Sequence, residues 1–181
     1  MYRLFVAIDL PEEVKRGVAG ITGNLAGARW VPGNQLHLTL RFIGEADEAL
    51  FQAIKTVLSG VQGASFSLAM KGVGHFPPGK HPRVLWVGME ESGPLLELQH
   101  EVESTLAAAG IAPEERRFSP HITLARLKET PAAAVAAIEN RCGAFRTEPF
   151  PVDEFHLYSS TLTREGAIHR REASYPLAAG A

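Results

Sequence analysis

Apolar and polar residues follow two periods along the chain, and these periods predict alternating strands and helices. A period of two, or a short apolar run, predicts strands at residues 2–9, 36–43, 66–73, 84–89, 145–152, 154–161 and 167–175. Apolar residues three and four apart predict helices that begin near residues 10, 48, 94 and 132. The pattern divides into two similar halves, roughly 1–90 and 91–181, and ends in a frayed tail at 178–181.

Two tetrapeptides are nearly identical, His-Leu-Thr-Leu at residues 37–40 and His-Ile-Thr-Leu at residues 121–124. Side chains alternate between the two faces of a strand, so each motif places an imidazole and a hydroxyl on one face and two aliphatic side chains on the other. One copy alone is typical of an ordinary half-exposed strand. Two copies, one in each half, indicate an internal duplication and two histidines that face one cleft.

The paired histidines indicate acid–base chemistry, because near neutral pH one imidazole can begin neutral as a base and the other charged as an acid. An arginine follows each motif, at Arg41 and Arg126. Regular alternation points Arg41 into the cleft with the first motif. It turns Arg126 away from the second motif unless the strand is bent or bulged near Ala125.

With these motifs, the chain resembles the 2H phosphoesterases, which are named for two His-x-Thr/Ser-x motifs. Among them it resembles the RNA 2′,3′-cyclic phosphodiesterases, also called 2′-5′ RNA ligases. The resemblance extends to the opening strand at 3–11 and to the segments 83–88 and 157–160. It implies an α+β fold and one domain over 1–181. Two pseudo-symmetric lobes, each an antiparallel sheet backed by helices, would face each other across a central cleft.

The resemblance also implies an activity and a set of residue roles. The enzyme would hydrolyse RNA 2′,3′-cyclic phosphate ends to 2′-phosphate ends and, in reverse, join RNA ends through a 2′-5′ linkage without ATP. His121 would be the general base toward water, and His37 the general acid toward the leaving 3′ oxygen. Thr39 and Thr123 would bind the phosphate. Arg126 would contact the phosphate or the terminal nucleotide, with Arg41 as a second candidate at the cleft mouth.

A turn-rich loop at residues 75–82 carries one further candidate, Phe76. Its ring could stack on an unpaired RNA base. A rigid hairpin with Phe76 folded back onto the core explains the same residues equally well. His100, His156 and His169 have no spaced partner, and we interpret them as surface or structural residues.

Composition narrows the partners and the compartment. The chain has 45% hydrophobic and 21% charged residues, with a formal net charge of −2, so it lacks the global basic field that grips duplex DNA. RNA contact is therefore expected to be local, at 3′ ends such as those of tRNA halves. The lone Cys142 and the absence of a secretory or membrane segment predict a soluble cytoplasmic protein, with a monomer as the default.

Three alternatives remain open. His37 and His121 could be metal ligands, although no clustered ligand motif accompanies them and we expect neither a metal nor a cofactor. The chain could be an RNA-binding module without catalysis. It could also be a 2H phosphoesterase for another substrate, such as ADP-ribose 1″,2″-cyclic phosphate, a 2′-5′ oligoadenylate or a small cyclic nucleotide.

Overall fold

The computed structural model describes residues 1–179, which contain ten strands, four α-helices and a short 3-10 helix at Gly33–Gln35. The strands are β1 (Tyr2–Asp9), β2 (Ala28–Trp30), β3 (His37–Ala46), β4 (Phe66–Leu68), β5 (Met70–Phe76), β6 (Val84–Met89), β7 (His121–Leu127), β8 (Phe150–Val152), β9 (Glu154–Thr163) and β10 (Gly166–Pro176). The helices are α1 (Glu12–Ala19), α2 (Glu48–Leu58), α3 (Gly93–Ala108) and α4 (Ala132–Cys142).

Two four-stranded antiparallel sheets form the framework. The first sheet has the order β10-β9-β1-β3 and the second sheet the order β2-β7-β6-β5, while β4 and β8 form a separate pair. The predicted α+β class with antiparallel sheets is confirmed. The predicted lobe boundary near residue 90 is wrong, because β9 and β10 from the end of the chain pair with β1 from its start, and β2 joins β7. Each sheet therefore takes strands from both halves.

Two of the predicted helices, α2 and α3, begin directly after a residue whose side chain caps the helix N-terminus. The Asp47 carboxylate accepts a hydrogen bond from the Leu50 amide at 2.8 Å and caps α2. The Ser92 hydroxyl accepts one from the Leu95 amide at 3.2 Å and caps α3. The helices contribute apolar stripes to one connected core that also includes the inner faces of both sheets.

The apolar run of β1 is buried on both of its faces, which explains why it does not alternate with polar residues. Leu4, Val6 and Ile8 belong to the main core. Phe5 and Ala7 point to the opposite face and form a small second cluster with Tyr158 of β9. An apolar patch therefore lies on the face of the first sheet that is turned away from the main core.

Some predicted elements differ from the structure. The strand expected at 66–73 is divided, because β4 pairs with β8 whereas β5 pairs with β6. The strand expected at 145–152 is regular only in β8. In the expected tail, Ala178 forms a parallel bridge with Ala64, and residues 180–181 lie outside the described part of the chain. Within residues 1–179, no helix is long and apolar enough to span a membrane.

Candidate active site

The two motif strands, β3 and β7, approach each other where the two sheets meet. In β3, Leu38 and Leu40 are buried in the core, and His37 and Thr39 lie half-buried on the other face. In β7, Ile122 and Leu124 are buried in the same way, and the same alternation leaves His121 and Thr123 on the opposite face. The structure thus brings together the four motif residues that the sequence identifies.

A β-bulge interrupts both strands immediately after the motif threonine. In the pairing of β3 with β1, Thr39 is opposite Ala7 and Arg41 is opposite Val6, so Leu40 is the extra residue. In the pairing of β7 with β6, Thr123 is opposite Trp86 and Ala125 is opposite Leu85, so Leu124 is the extra residue. Each bulge reverses the alternation that follows it, and it therefore decides where the two candidate arginines point.

The bulge turns Arg41 into the protein, so the prediction that it faces the cleft is wrong. Its guanidinium donates to Glu103 of α3 at 2.6 Å and to the Ala112 carbonyl at 2.6 Å. Only 8% of Arg41 is exposed. The side chain that emerges next to the cleft wall is Phe42, whose ring lies 5.8 Å from that of Phe5.

The equivalent bulge in β7 brings Arg126 to the site, and the bend expected near Ala125 is present. Arg126 is exposed and opposes Val84 of β6, which in turn opposes Phe76 of β5. Directly opposed residues share a face, and Phe76 contacts His121. Burial lowers the pKa of His121, and the Arg126 charge lowers it further. Arg126 therefore lies beside the second motif.

His121 is held in a defined orientation. Its Nδ1 lies 2.7 Å from the Ser119 carbonyl oxygen. Because a carbonyl oxygen only accepts hydrogen bonds, Nδ1 carries a proton and, in the neutral ring, Nε2 is left with its lone pair. The Phe76 ring packs edge to face against the imidazole with the centroids 5.0 Å apart. Phe76 thus lines the site, next to the catalytic candidate.

His37 lies in a more buried and more aromatic setting. Its ring stacks on Phe5 with the centroids 4.9 Å apart, and the Tyr158 ring lies nearly parallel to the imidazole with its centroid 5.8 Å from that of His37. His169 of β10 meets the His37 ring edge to face at 5.0 Å. Burial lowers the pKa of His37 to about 4, with a smaller contribution in the same direction from His169, while a hydrogen bond with the Gln35 backbone opposes both. In the free protein His37 is therefore neutral at pH 7.

Sequence reasoning missed His169. The interpretation of His169 as a surface or structural residue is incomplete, because its ring contacts His37, and the Arg126 charge adds to burial in lowering its pKa. Its Nδ1 and the Trp86 Nε1 are buried without a hydrogen-bond partner among the described residues. The alternation of apolar and polar residues does not point to His169, because its contact with His37 depends on the order of the strands in the sheet, in which β10 pairs with β9 and not with a motif strand. His156 is a satisfied strand residue as expected, with its Nδ1 2.9 Å from the Ser174 hydroxyl.

A carboxylate and two cations lie beside the His37 end of the cleft. Asp9 is the cross-strand partner of His37. Its carboxylate binds Lys15 of α1 at 2.9 Å and Arg171 of β10 at 2.7 Å. The three side chains tie β1, α1 and β10 together next to the first motif. Across residues 1–179, no group of three or more His, Cys, Asp or Glu side chains is arranged to hold a metal ion.

Comparison with known proteins gives consistent results over nearly the whole chain. The chain is 40% identical over 174 residues to an RNA 2′,3′-cyclic phosphodiesterase of Thermotoga maritima, covering 93% of this chain and 91% of that protein. It is 33% identical over 171 residues to a protein of the same name from Archaeoglobus fulgidus, covering 93% and 96%.

Solved structures agree with the sequence relatives. Escherichia coli LigT complexed with 3′-AMP superposes with a TM-score of 0.76 at 27% identity, covering 97% of this chain and 98% of that one. TT0787 of Thermus thermophilus gives a TM-score of 0.76 at 29% identity, covering 96% and 97%. The profile of the 2′-5′ RNA ligase superfamily matches residues 10–164, a span that contains both motifs and both bulges. With its fold, its paired motifs and its relatives in agreement, the chain belongs to the 2′-5′ RNA ligase superfamily.

Proposed function

We propose that this chain hydrolyses the 2′,3′-cyclic phosphate at RNA 3′ ends to a 2′-phosphate, with His37 and His121 as acid and base. The observation that carries the proposal is the approach of two His-x-Thr motifs on β3 and β7, each with its histidine and threonine on the face opposite the core. The name carried by the relatives supports this substrate class, and the LigT complex with 3′-AMP supports a nucleotide in the cleft.

His121 is assigned as the general base. Its Nδ1 proton is engaged by the Ser119 carbonyl, and its lowered pKa keeps the ring neutral at pH 7. Nε2 can therefore take a proton from water as the water oxygen attacks phosphorus. As the new P–O bond forms, the bond from phosphorus to the ribose 3′ oxygen breaks, and the phosphate remains on the 2′ oxygen.

His37 is assigned as the general acid that protonates the leaving 3′ oxygen. In the free protein burial holds its pKa near 4, so His37 must gain a proton together with the substrate. A cyclic phosphate carries one negative charge, and an anion beside a buried imidazole favours the charged form. Substrate binding therefore creates the acid, whereas the empty site holds His37 neutral.

The remaining residues serve the phosphate and the base. The Thr39 and Thr123 hydroxyls can donate to the non-bridging oxygens, on which negative charge builds as the transition state forms. Arg126 adds a full positive charge beside His121. The Phe76 ring, already packed on His121, offers a face on which the terminal base can stack.

The same groups can also catalyse ligation, with the 3′ oxygen again as the leaving group. A 5′-hydroxyl in place of water would attack the cyclic phosphate and produce a 2′-5′ linkage, with no need for ATP because the strained ring supplies the energy. Hydrolysis should dominate in water unless two RNA ends are held together, as in paired tRNA halves. We propose that the chain acts as a soluble cytoplasmic monomer without a metal or cofactor.

The test uses a dinucleotide with a terminal 2′,3′-cyclic phosphate and identifies the product by phosphorus NMR. A 2′-phosphate product is expected, and a 3′-phosphate product would contradict the assignment of the leaving oxygen. His37→Ala and His121→Ala should each reduce turnover by ~10²–10⁴-fold, the usual contribution of a positioned acid or base. His100→Ala, on the exposed surface of α3, is the matched control. A parallel assay with ADP-ribose 1″,2″-cyclic phosphate and 2′-5′ oligoadenylate tests the alternative substrates.

A further inference from the structure

Two arginines stand directly opposite each other at the edge of the second sheet. Arg29 is the central residue of the three-residue strand β2, and its cross-strand partner in β7 is Arg126. Both side chains are exposed. Like charges directly opposite each other in an antiparallel pair destabilise the pairing, so the folded chain alone gives no reason for this arrangement.

Neither arginine is neutralised by the protein. Within residues 1–179, no carboxylate lies within ion-pair distance of Arg29 or Arg126. Five other arginines do have such a partner, and several more, such as Arg16 and Arg117, have none in the same range; what distinguishes Arg29 and Arg126 is that two unpaired arginines stand directly opposite each other. The opposed pair is therefore a local concentration of positive charge on a chain with a net charge of −2.

The arginine pair lies on the side of the sheet that carries the catalytic motif. Directly opposed residues share a face, which places Arg29 with Arg126, Val84 and Phe76. Phe76 contacts His121, so this is the cleft face. Because β2 is the outer strand of the second sheet, Arg29 lies one strand beyond Arg126, on the side of β7 away from β6.

Protection of a sheet edge is the competing explanation for Arg29. Charged residues on outer strands prevent edge-to-edge association, and β2 is an outer strand. That purpose is served by a charge of either sign, and a glutamate here would also pair with Arg126. The choice of a second cation opposite Arg126 instead fits a ligand that carries more than one negative charge.

Resting on the proposed function, we propose that Arg29 binds the phosphodiester on the 5′ side of the terminal nucleotide while Arg126 binds the cyclic phosphate end. The substrate class is then an RNA oligomer rather than a free mononucleotide. A mononucleoside 2′,3′-cyclic phosphate carries one phosphate and can use only Arg126. An oligomer carries a second phosphate, and Arg29, one strand beyond Arg126, is the cation assigned to it.

The experiment compares two substrates, adenosine 2′,3′-cyclic phosphate and the dinucleotide ApA with a terminal 2′,3′-cyclic phosphate. Arg29→Gln should lower kcat/KM for the dinucleotide about tenfold, the usual scale for losing one charge-assisted hydrogen bond. It should leave kcat/KM for the mononucleotide unchanged. Arg29→Lys should retain part of the dinucleotide activity, because a point charge still attracts phosphate. The dependence of log KM on log salt for the dinucleotide should become shallower by about one in Arg29→Gln.

Arg170→Gln is the matched control, because Arg170 is exposed and lies on β10 of the other sheet. It should change neither substrate's kinetics. Equal effects of Arg29→Gln on both substrates, or no effect on either, would overturn the inference while leaving the proposed function intact. Wild-type protein that hydrolysed neither cyclic phosphate would overturn the proposed function itself, and the inference with it. Thermal unfolding of each variant shows whether the altered residue still sits in a folded sheet.

Discussion

The imidazole of His169 lies edge-on against the imidazole of His37, with the ring centroids 5.0 Å apart and the planes at 69°. Phe5 completes the contact, since its ring is stacked on His37 and lies edge to face with His169. Two rings that can each take a proton are thus held in one apolar setting. If both were charged, they would repel each other with little water to screen the repulsion. His169 therefore helps to keep His37 neutral until an anion arrives.

Replacement of His169 by phenylalanine should raise the pKa of His37 from its value of about 4. The ring contact is retained in His169→Phe, but the second site of positive charge is removed. The pKa should stay below 6.5, because burial is the larger cause of the shift and is unchanged. An NMR titration of the His37 imidazole measures the change, with His100→Phe as the control. An unchanged or lower pKa would mean that His169 has no electrostatic effect on His37.

Part of this site could be predicted from sequence, and the reason lies in the period of a strand. Alternation in the two motifs is sufficient to place His37 and Thr39 on one face and Leu38 on the other, and the second motif repeats the argument. Only short-range geometry is needed for that step. The start of α2 near residue 48 could be predicted for the same reason, since Asp47 and an apolar stripe are local signals.

The rest of the site depends on pairing between distant strands. The bulge at Leu40 is defined by its register with β1, and nothing in the local sequence specifies the extra residue. The bulge turns the Arg41 side chain toward the core, so regular alternation along the strand predicts the wrong direction for it. His169 reaches the site only because β10 is the outer neighbour of β9 in the first sheet. A contact of this kind is a property of sheet order, which periodicity does not encode.

Arg41 should matter for stability and not for substrate binding. It forms an ion pair with Glu103 at 2.6 Å while only 8% exposed, and Arg41→Gln leaves that carboxylate without its partner. The free energy of unfolding should fall by about 3 kcal/mol, the scale for breaking a buried ion pair. KM for the cyclic dinucleotide should remain at its wild-type value. Urea unfolding and steady-state kinetics measure the two effects.

Arg16→Gln, on the exposed side of α1, is the control for loss of one arginine charge and should change the free energy of unfolding by less than about 0.5 kcal/mol. A large rise in KM for Arg41→Gln with unchanged stability would restore Arg41 as a substrate contact.

Chelation should leave the activity intact. The chemistry assigned to His37 and His121 needs two imidazoles that exchange protons and no metal: Nδ1 of His121 faces the Ser119 carbonyl, and Nε2 is the nitrogen assigned to the attacking water. Turnover of the cyclic dinucleotide is measured after dialysis against excess EDTA, with no nucleoside triphosphate added. Activity that was lost on dialysis and restored by one particular divalent ion would favour the metalloenzyme alternative.

Rate should depend on pH differently for the free enzyme and for the complex. The profile of kcat/KM reports the free enzyme, in which burial lowers the pKa of His37 to about 4 and also lowers that of His121. The profile of kcat reports the complex, in which the bound anionic phosphate stabilises protonated imidazoles and raises both values. The optimum of kcat should therefore lie at higher pH than the optimum of kcat/KM. Coincident optima would show that the bound phosphate does not shift the pKa values of His37 and His121.

Each pH profile should be bell-shaped, and its acid and alkaline limbs separate the roles of the two histidines. Activity should fall on the acid side as His121 gains a proton and can no longer act as base, and on the alkaline side as His37 loses the proton that it must donate. The two groups titrate as a pair, so the wild-type limbs belong to neither histidine alone. In His37→Gln the residual activity should keep the acid limb, because His121 must still be neutral, and lose the alkaline limb, because no acid remains to be deprotonated. His121→Gln should show the reverse. An alkaline limb that persisted in His37→Gln would mean that another group donates the proton, and His169, in contact with the same ring, would be the next residue to replace.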